Sequence, residues 1–285
     1  MHRAALSHFN LEGSYELLDV TAEQLVESLK RYICDGFVGF NVTIPHKEAM
    51  FNLAQSHSKS ASAAGAANTI KVENSLLSAH NTDLEGLKKA LEPLLGEKKT
   101  AFVLGAGGAS RAALLAMEEL HFEKIVVCAR DPSKAQATVA GVKLHHDTNI
   151  SIVPLPSEPS ATNFANSKEI SNVSLILNTT PLGQAIKEIP HWFEQLLSHC
   201  LSDHSSEPGL NAKAERQPPL FFDMVYSATG APTPLMEIAN EHGWRSTDGT
   251  DMLVYQACAA FEFWTGNYPP YILMKEALED ARSLR

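Results

Sequence analysis

AFVLGAGGASRAALLAM, residues 101–117, decides how the chain folds. Residues 101–104 are apolar, and Phe102 and Val103 favour a strand. Gly105, Gly107 and Gly108 permit a tight turn, and from Ala109 onward the Ala- and Leu-rich run reads as a helix. Strand, glycine turn and helix in this order is how a dinucleotide site begins. Glycines let the backbone approach a diphosphate, whose charge rests on the N–H groups and positive dipole end of the helix. The third fingerprint position is Ser110 instead of Gly or Ala, and a tight turn in another α/β sheet would leave a similar trace.

One helix further on, residues 124–128 (KIVVC) are apolar and β-branched, completing a βαβ unit. The chain then reads Ala129-Arg130-Asp131-Pro132-Ser133-Lys134. An NAD site places an acid on the ribose 2′-hydroxyl, whereas an NADP site sets Arg or Lys against the 2′-phosphate. Arg130 and Lys134 favour NADP. Asp131 can bind a 2′-hydroxyl or repel a phosphate, which leaves NAD as the alternative.

The 285 residues suffice for two domains, and 44% apolar with 20% charged is ordinary globular composition. A net charge of −10 argues against nucleic acid or an anionic membrane surface as partner. The four cysteines (Cys34, Cys128, Cys200, Cys258) are scattered, with neither CxxC nor metal spacing, as in a reducing compartment. His145-His146 is the only adjacent histidine pair, and no metal is expected. No signal peptide or membrane-spanning run is visible, so a cytoplasmic protein is predicted.

From the start, residues 1–12 have helical periodicity ended by Gly13, and 14–20 (SYELLDV) read as a strand. Residues 21–24 read as a capping box for a helix with Leu25, Leu29 and Ile33 on one face, stopped by Gly36. Residues 37–43 are predicted as a second strand, parallel to the first through a crossover. NVTIPHKE (41–48) follows, with Pro45 in the first turn of a helix. Asn41, Thr43 and Lys47 then gather at the carboxyl end of a strand, where open α/β sheets bind ligands. Lys47 reads as a charged donor or proton shuttle, or as a solvated lysine. Asn68 precedes a strand at 70–72, which returns through a turn at 73–75 to His80. Asn81-Thr82-Asp83 caps a helix over 84–91. Lys47 and Asp83, each at a strand-to-helix junction, can meet as an ion pair that aims the lysine and exchanges a proton with a substrate hydroxyl.

Residues 155–167 read as a polar loop, and 173–177 as a buried strand leading into a turn, 178–183, that can pass beside a cofactor. Helices are predicted at 192–201, 233–242 and 271–284, a long helix is opened by 248–256 and runs to about Trp264, and a core strand is predicted at 220–224. Residues 203–219 form a second polar insertion. Gln256 is either a buried amide that needs partners or a surface glutamine.

NVTIPHKE (41–48), GAANT (65–69), NTD (81–83), GAGGAS (105–110), NTTPLG (178–183), DMVY (223–226) and GxxMLxxQ (249–256) occur in this order. Together they resemble the shikimate dehydrogenase family, over nearly the whole chain. The resemblance implies an α/β protein of two domains with a cleft between them. One is an open α/β catalytic domain (1–83 plus 249–285) and the other a Rossmann-type domain (84–248) that holds NADP. It implies reversible hydride transfer between NADPH and 3-dehydroshikimate, giving shikimate, in chorismate and aromatic amino-acid biosynthesis, by a monomer or homodimer. By position, Lys47 looks like the catalytic lysine and Asp83 its partner. Thr43, Asn68, Tyr226 and Gln256 match substrate contacts. Gly105, Ala106, Gly107, Gly108 and Ala109 match the diphosphate loop, Arg130 and Lys134 the 2′-phosphate clamp, and Met224 and Gly249 positions near the nicotinamide. The family carries a strand and a Ser-x-Ser-Pro motif ahead of the pair that Met1-His2 resembles. Leu84 stands where NTDG has Gly, Asp251 where Gly precedes Met-Leu, and Ala129 where Asn precedes the arginine. Two alternatives stand beside this reading: an NAD-using quinate/shikimate dehydrogenase, for which Asp131 speaks, and a catalytically weakened ligand-binding relative, for which the serine motif, Leu84 and Asp251 speak.

Overall fold

The computed structural model describes residues 1–145, 147–156, 169–183, 188–205 and 217–283. The chain forms two compact units, Met1–Ala90 with Asp251–Arg285, and Leu91–Thr250.

The first unit contains α1 (His2–His8), α2 (Leu25–Cys34), β1 (Gly39–Asn41), α3 (Lys47–Leu53), β2 (Ser56–His57), α4 (Lys59–Ala64), β3 (Thr69–Glu73), β4 (Leu76–His80) and α5 (Asp83–Leu91). Its last two helices, α10 (Thr250–Thr265) and α11 (Tyr271–Ser283), come from the end of the chain. The sheet order is β1-β3-β4-β2; β3 pairs antiparallel with β1 and β4, and β2 pairs parallel with β4. The β3–β4 hairpin closes through Asn74 and Ser75, both at positive φ, as a tight two-residue turn of the expected hand. Met50, Ala61, Ala67, Ile70 and Ala79 form the core at the sheet, while Ala5, Val254, Cys258, Phe261 and Met274 form a second core under α10 and α11.

Five expectations for this region are corrected. Residues 14–20 form no strand; the Arg3 guanidinium donates to the Tyr15 carbonyl at 3.0 Å and the Tyr15 hydroxyl to Asn41 Oδ1 at 3.0 Å, so side chains tie the segment down. The parallel crossover is absent because β1 takes β3 as its partner. Thr21 bonds with Glu23 instead of closing a capping box, and α2 begins at Leu25. α3 begins at Lys47, so Pro45 precedes the helix, after a cis peptide with Ile44. Helix α1 also stops before Gly13. Asn10 takes the left-handed conformation, and the N–H groups of Asn10 and Leu11 bond back to Ser7 and Leu6.

The second unit contains β5 (Thr100–Leu104), α6 (Gly108–Glu119), β6 (Lys124–Ala129), α7 (Pro132–Ala140), β7 (Ile150–Pro154), β8 (Val173–Asn178), α8 (His191–Ser205), β9 (Leu220–Asp223), α9 (Pro234–Glu241) and β10 (Arg245–Asp248). All strand pairs are parallel, in the order β7-β6-β5-β8-β9-β10. This is the doubly wound order, whose switch point lies between β5 and β8. β5 and β8 are buried along their whole length, as strands covered on both faces must be. Phe102, Ile176, Phe193, Leu196, Phe221 and Trp244 lead the core. One rung crosses all six strands near their carboxyl ends: Val153, Cys128, Leu104, Asn178, Asp223 and Asp248 are in register. Strands β7 and β10 were not anticipated from sequence. Helix α8 reaches Ser205, so the second insertion begins later than residue 203; most of both insertions lies outside the described residues, as does His146. Among the described residues no helix is long and apolar enough to cross a membrane.

Candidate active site

Lys47 opens α3, and its backbone carbonyl accepts the Ala67 N–H at 2.9 Å, which ties the helix start to the segment before β3. Asp83 opens α5, its N–H bonded to Asn81 Oδ1 at 3.1 Å. The two side chains meet: Lys47 Nζ donates to Asp83 Oδ2 at 2.6 Å, with only 14% and 8% of the side chains exposed. A pair so shielded from water is screened by salt less than a surface ion pair.

Asn68 is the hub beside this pair. Its buried amide donates to Asp83 Oδ1 at 2.8 Å and Thr82 Oγ1 at 2.9 Å, while its oxygen accepts the Thr82 N–H at 2.8 Å. Both oxygens of Asp83 are therefore engaged, and its carboxylate has one orientation. From α10, Gln256 donates to the Leu253 carbonyl at 3.0 Å and accepts from Thr82 Oγ1 at 3.3 Å and Asn68 Nδ2 at 3.4 Å. Gln256 is thus the half-buried, partnered amide of the two readings.

Lys47, Asn68, Asp83 and Gln256 come together as expected. Thr43 does not join them by a hydrogen bond; it is exposed in the turn before α3, where its carbonyl accepts the His46 N–H. Thr82 and Gly86 are the residues that sequence reasoning missed. Thr82 looked like a helix cap only. Gly86 lies where α5 meets α10: a Cβ there would stand 2.8 Å from the Met252 carbonyl oxygen and 2.9 Å from Gln256 Cβ. Gly86→Ala gains about 1 kcal/mol of helix propensity. It must also displace backbone, at about 1–3 kcal/mol. Net destabilisation, read as a lower Tm in thermal unfolding, is expected; an unchanged or higher Tm would contradict the close approach.

Asp251, where the family pattern has Gly, is paired within the same unit. The Tyr271 hydroxyl donates to its Oδ1 at 2.5 Å and Lys275 Nζ at 3.0 Å, both from α11.

In the second unit, the turn after β5 is held from below. Gly105 has φ +117°, and any side chain on it would collide with Thr179 Oγ1. Gly107 donates its N–H to Ser110 Oγ at 3.0 Å; Ser110 Oγ bonds Thr179 Oγ1 at 2.7 Å, which donates to the Leu104 carbonyl at 2.6 Å. The Ala106 carbonyl accepts from Thr138 Oγ1 at 3.0 Å. Ser110 therefore braces the glycine turn, and its departure from the fingerprint is a substitution of hydrogen bonding for close packing. A side chain at Gly107 would meet nothing within 4 Å, so the backbone there faces open space ahead of the first turn of α6 (Gly108, Ala109). That is the cradle a diphosphate requires.

Asp131 caps α7, accepting the N–H groups of Ser133 at 2.9 Å and Lys134 at 3.3 Å. Both bonds go to one carboxylate oxygen, Oδ1. Arg130 and Lys134 are exposed, and among the described residues neither pairs with an acid.

Met224 and Gly249 are neighbours. The Gly249 N–H bonds the Val225 carbonyl at 3.2 Å, and a Cβ on Gly249 would lie 2.5 Å from the Met224 carbonyl oxygen. Tyr226 follows them out of β9, 42% exposed. Beneath lies Asp223, fully buried, accepting from Thr233 Oγ1 (2.7 Å), Asn178 Nδ2 (2.9 Å) and the Val225 N–H (3.1 Å). Burial pushes its carboxyl up to about 6 from 3.8, against the pull of those three donors and with a smaller push from Asp248. Between these pH values the folded state holds the proton and the unfolded state does not. The corresponding stability is fully present below about pH 4 and is lost as pH rises through about 6, on the order of 3 kcal/mol. Asp223→Asn should lack this slope: urea unfolding at pH 4 and pH 7 should show the wild type losing stability relative to the variant as pH rises. Parallel pH dependence in the two proteins would refute the assignment.

The sequence pattern described as the shikimate dehydrogenase substrate binding domain matches residues 1–70, and that of the shikimate 5′-dehydrogenase C-terminal domain matches 249–279. The NADP(+) shikimate dehydrogenase of Magnetococcus marinus is 31% identical over 98% of this chain and 89% of its own. That of Prochlorococcus marinus is 33% identical over 98% and 91%. Among solved structures, shikimate dehydrogenase from Aquifex aeolicus is similar with a TM-score of 0.77 at 27% identity, covering 98% of this chain and 91% of the other. The Thermus thermophilus enzyme in complex with NADP(H) and shikimate gives 0.71 at 31% identity, covering 98% and 92%.

Proposed function

The chain belongs to the shikimate dehydrogenase family, and on that premise we propose that Lys47 and Asp83 are the catalytic pair with which it reduces 3-dehydroshikimate to shikimate, reversibly, with NADPH. It is an NADP-dependent oxidoreductase acting on a CH–OH group of a small molecule. The observation that carries the residue assignment is the shielded Lys47–Asp83 pair with the Asn68 and Gln256 amides converging on it. We assign substrate binding to the unit built from Met1–Ala90 and Asp251–Arg285, and NADP to Leu91–Thr250.

The residues present fit NADP. Gly105, Ala106, Gly107, Gly108 and Ala109 would hold the diphosphate at the start of α6, and Arg130 with Lys134 the 2′-phosphate. Met224 and Gly249 would line the nicotinamide end. When bound, NADPH supplies the hydride. The protein supplies the proton and the orientation. Lys47 Nζ carries a proton that Asp83 Oδ2 aims. In the direction of reduction that proton goes to the oxygen of the carbonyl being reduced; in oxidation Lys47 takes it back from the hydroxyl. Asp83 holds the lysine amine in one place and, with Asn68 and Gln256, offers hydrogen bonds that ring hydroxyls can satisfy. Thr43 and Tyr226 are further substrate contacts in this reading.

The test is absorbance at the NADPH band with shikimate and NADP, then with NAD, then with quinate. Turnover with shikimate and NADP, and weaker use of NAD, is expected. A folded protein that binds both ligands without turnover would favour the ligand-binding alternative, and a preference for NAD or quinate would overturn the substrate and cofactor assignment.

A further inference from the structure

The rung that crosses the six-stranded sheet is apolar on β7, β6 and β5 and polar on β8, β9 and β10. Each of the three polar side chains bonds the N–H two residues ahead: Asn178 Oδ1 to Thr180 at 3.0 Å, Asp223 Oδ1 to Val225 at 3.1 Å and Asp248 Oδ1 to Thr250 at 3.0 Å. Each strand is thereby followed by a tight side-chain-closed turn. Asp223 is the central member, and its side chain bonds beyond its own turn to another of the three, Asn178. It accepts Asn178 Nδ2 from the β8 side and Thr233 Oγ1, the N-cap of α9. Above it, the Met224 N–H bonds the Asn178 carbonyl at 3.0 Å, and Gly249 fits against the Met224 carbonyl because it has no side chain. Asp223 itself is fully buried and reaches no ligand.

We propose that Asp223 is a positioning residue for the reaction. It locks residues 178–180 and 224–226 into one register, so that Met224 and Gly249 are presented to the nicotinamide and Tyr226 to the substrate. The inference rests on the roles given above to those three residues. It assigns Asp223 no contact with substrate or cofactor and no proton transfer. Its effect falls on the hydride-transfer end: the glycine turn keeps the bonds that Thr179 itself makes to Ser110 and to the Leu104 carbonyl, and Arg130 lies on the other half of the rung.

The experiment separates turnover from cofactor affinity, with NADP binding followed by protein fluorescence and kcat measured with shikimate. Asp223→Ala withdraws the acceptor from three donors; kcat is expected to fall by about 30-fold or more, with NADP affinity within about threefold of wild type. Asp223→Asn can still accept from Asn178 and Val225 and donate to Thr233, and is expected to recover at least about a third of the wild-type kcat. A merely structural role would lower affinity and kcat together. That result, a kcat of Asp223→Ala within about threefold of wild type, or an Asn variant no better than Ala would each overturn the proposal. Should Asp223→Ala fail to fold, Thr233→Val removes a single donor. A loss of about threefold or more in kcat at unchanged affinity then supports the proposal, and no loss overturns it. Met224→Ala and Tyr226→Phe test the premise separately. If both leave kcat and KM unchanged, the premise fails; if they lower turnover and Asp223→Ala does not, only the role of Asp223 fails.

Discussion

Lys47→Ala is expected to lower kcat for shikimate oxidation by about 10³-fold while NADP affinity and Tm stay close to wild type. Positioned proton transfer contributes about 10²- to 10⁴-fold, and a lysine whose only described side-chain partner is a buried carboxylate belongs in that range. The loss should fall on kcat more than on KM, because Asn68, Gln256 and Asp83 remain to bind substrate hydroxyls. Lys47→Arg keeps the charge but spreads it over a planar fork that does not give up a proton near neutrality. It should rescue little. Steady-state kinetics beside an NADP titration decide the matter: an active Lys47→Ala enzyme would remove the assigned role.

The second large effect is expected at the cofactor. Arg130→Ala should raise KM for NADP by about 30- to 150-fold, the equivalent of about 2–3 kcal/mol for a lost charge-assisted contact, and leave KM for NAD nearly unchanged. The argument is the division of labour at the start of α7. Asp131 bonds the helix N–H groups through Oδ1, and the charges of the sign a 2′-phosphate needs are those of Arg130 and Lys134. Lys134→Ala should act in the same direction and more weakly, since a flexible point charge gives less than a bidentate fork. Kinetics with both cofactors read the effect directly. Equal loss with NADP and NAD would place Arg130 elsewhere than at the 2′-phosphate.

The βαβ unit at the glycine turn was legible from residues alone. Continuous apolar runs such as residues 101–104 and 124–128 mark strands buried on both faces, and glycines mark the turn between. Residues 14–20 misled for the opposite reason. They pair apolar residues with strand formers, yet Leu17 is 90% exposed, so there is no sheet face for the pattern to serve. Strand β10 was missed because RSTD is a half-buried edge strand, whose hydrogen bonds to β9 leave no apolar signature. In the site, the meeting of Lys47 and Asp83 could be suspected from two strand-to-helix junctions. The part played by Asn68 and Gln256 came only through family resemblance, since an isolated amide carries no local signal. Thr82 and Gly86 are fixed by tertiary packing of α5 against α10, which no sequence window contains.

The rung that changes from apolar to polar between β5 and β8 also bears on how such an enzyme can diversify. On the proposed assignments, cofactor choice is written after β6, at Arg130, and hydride geometry after β8, β9 and β10. Three strand spacings, ~14 Å, separate β6 from β9. Changes that far apart, with no shared partner, combine additively. A lineage could therefore exchange one nicotinamide currency for another without retuning its chemistry, and a thermodynamic cycle between substitutions at Arg130 and Asp223 should close with an interaction energy near zero.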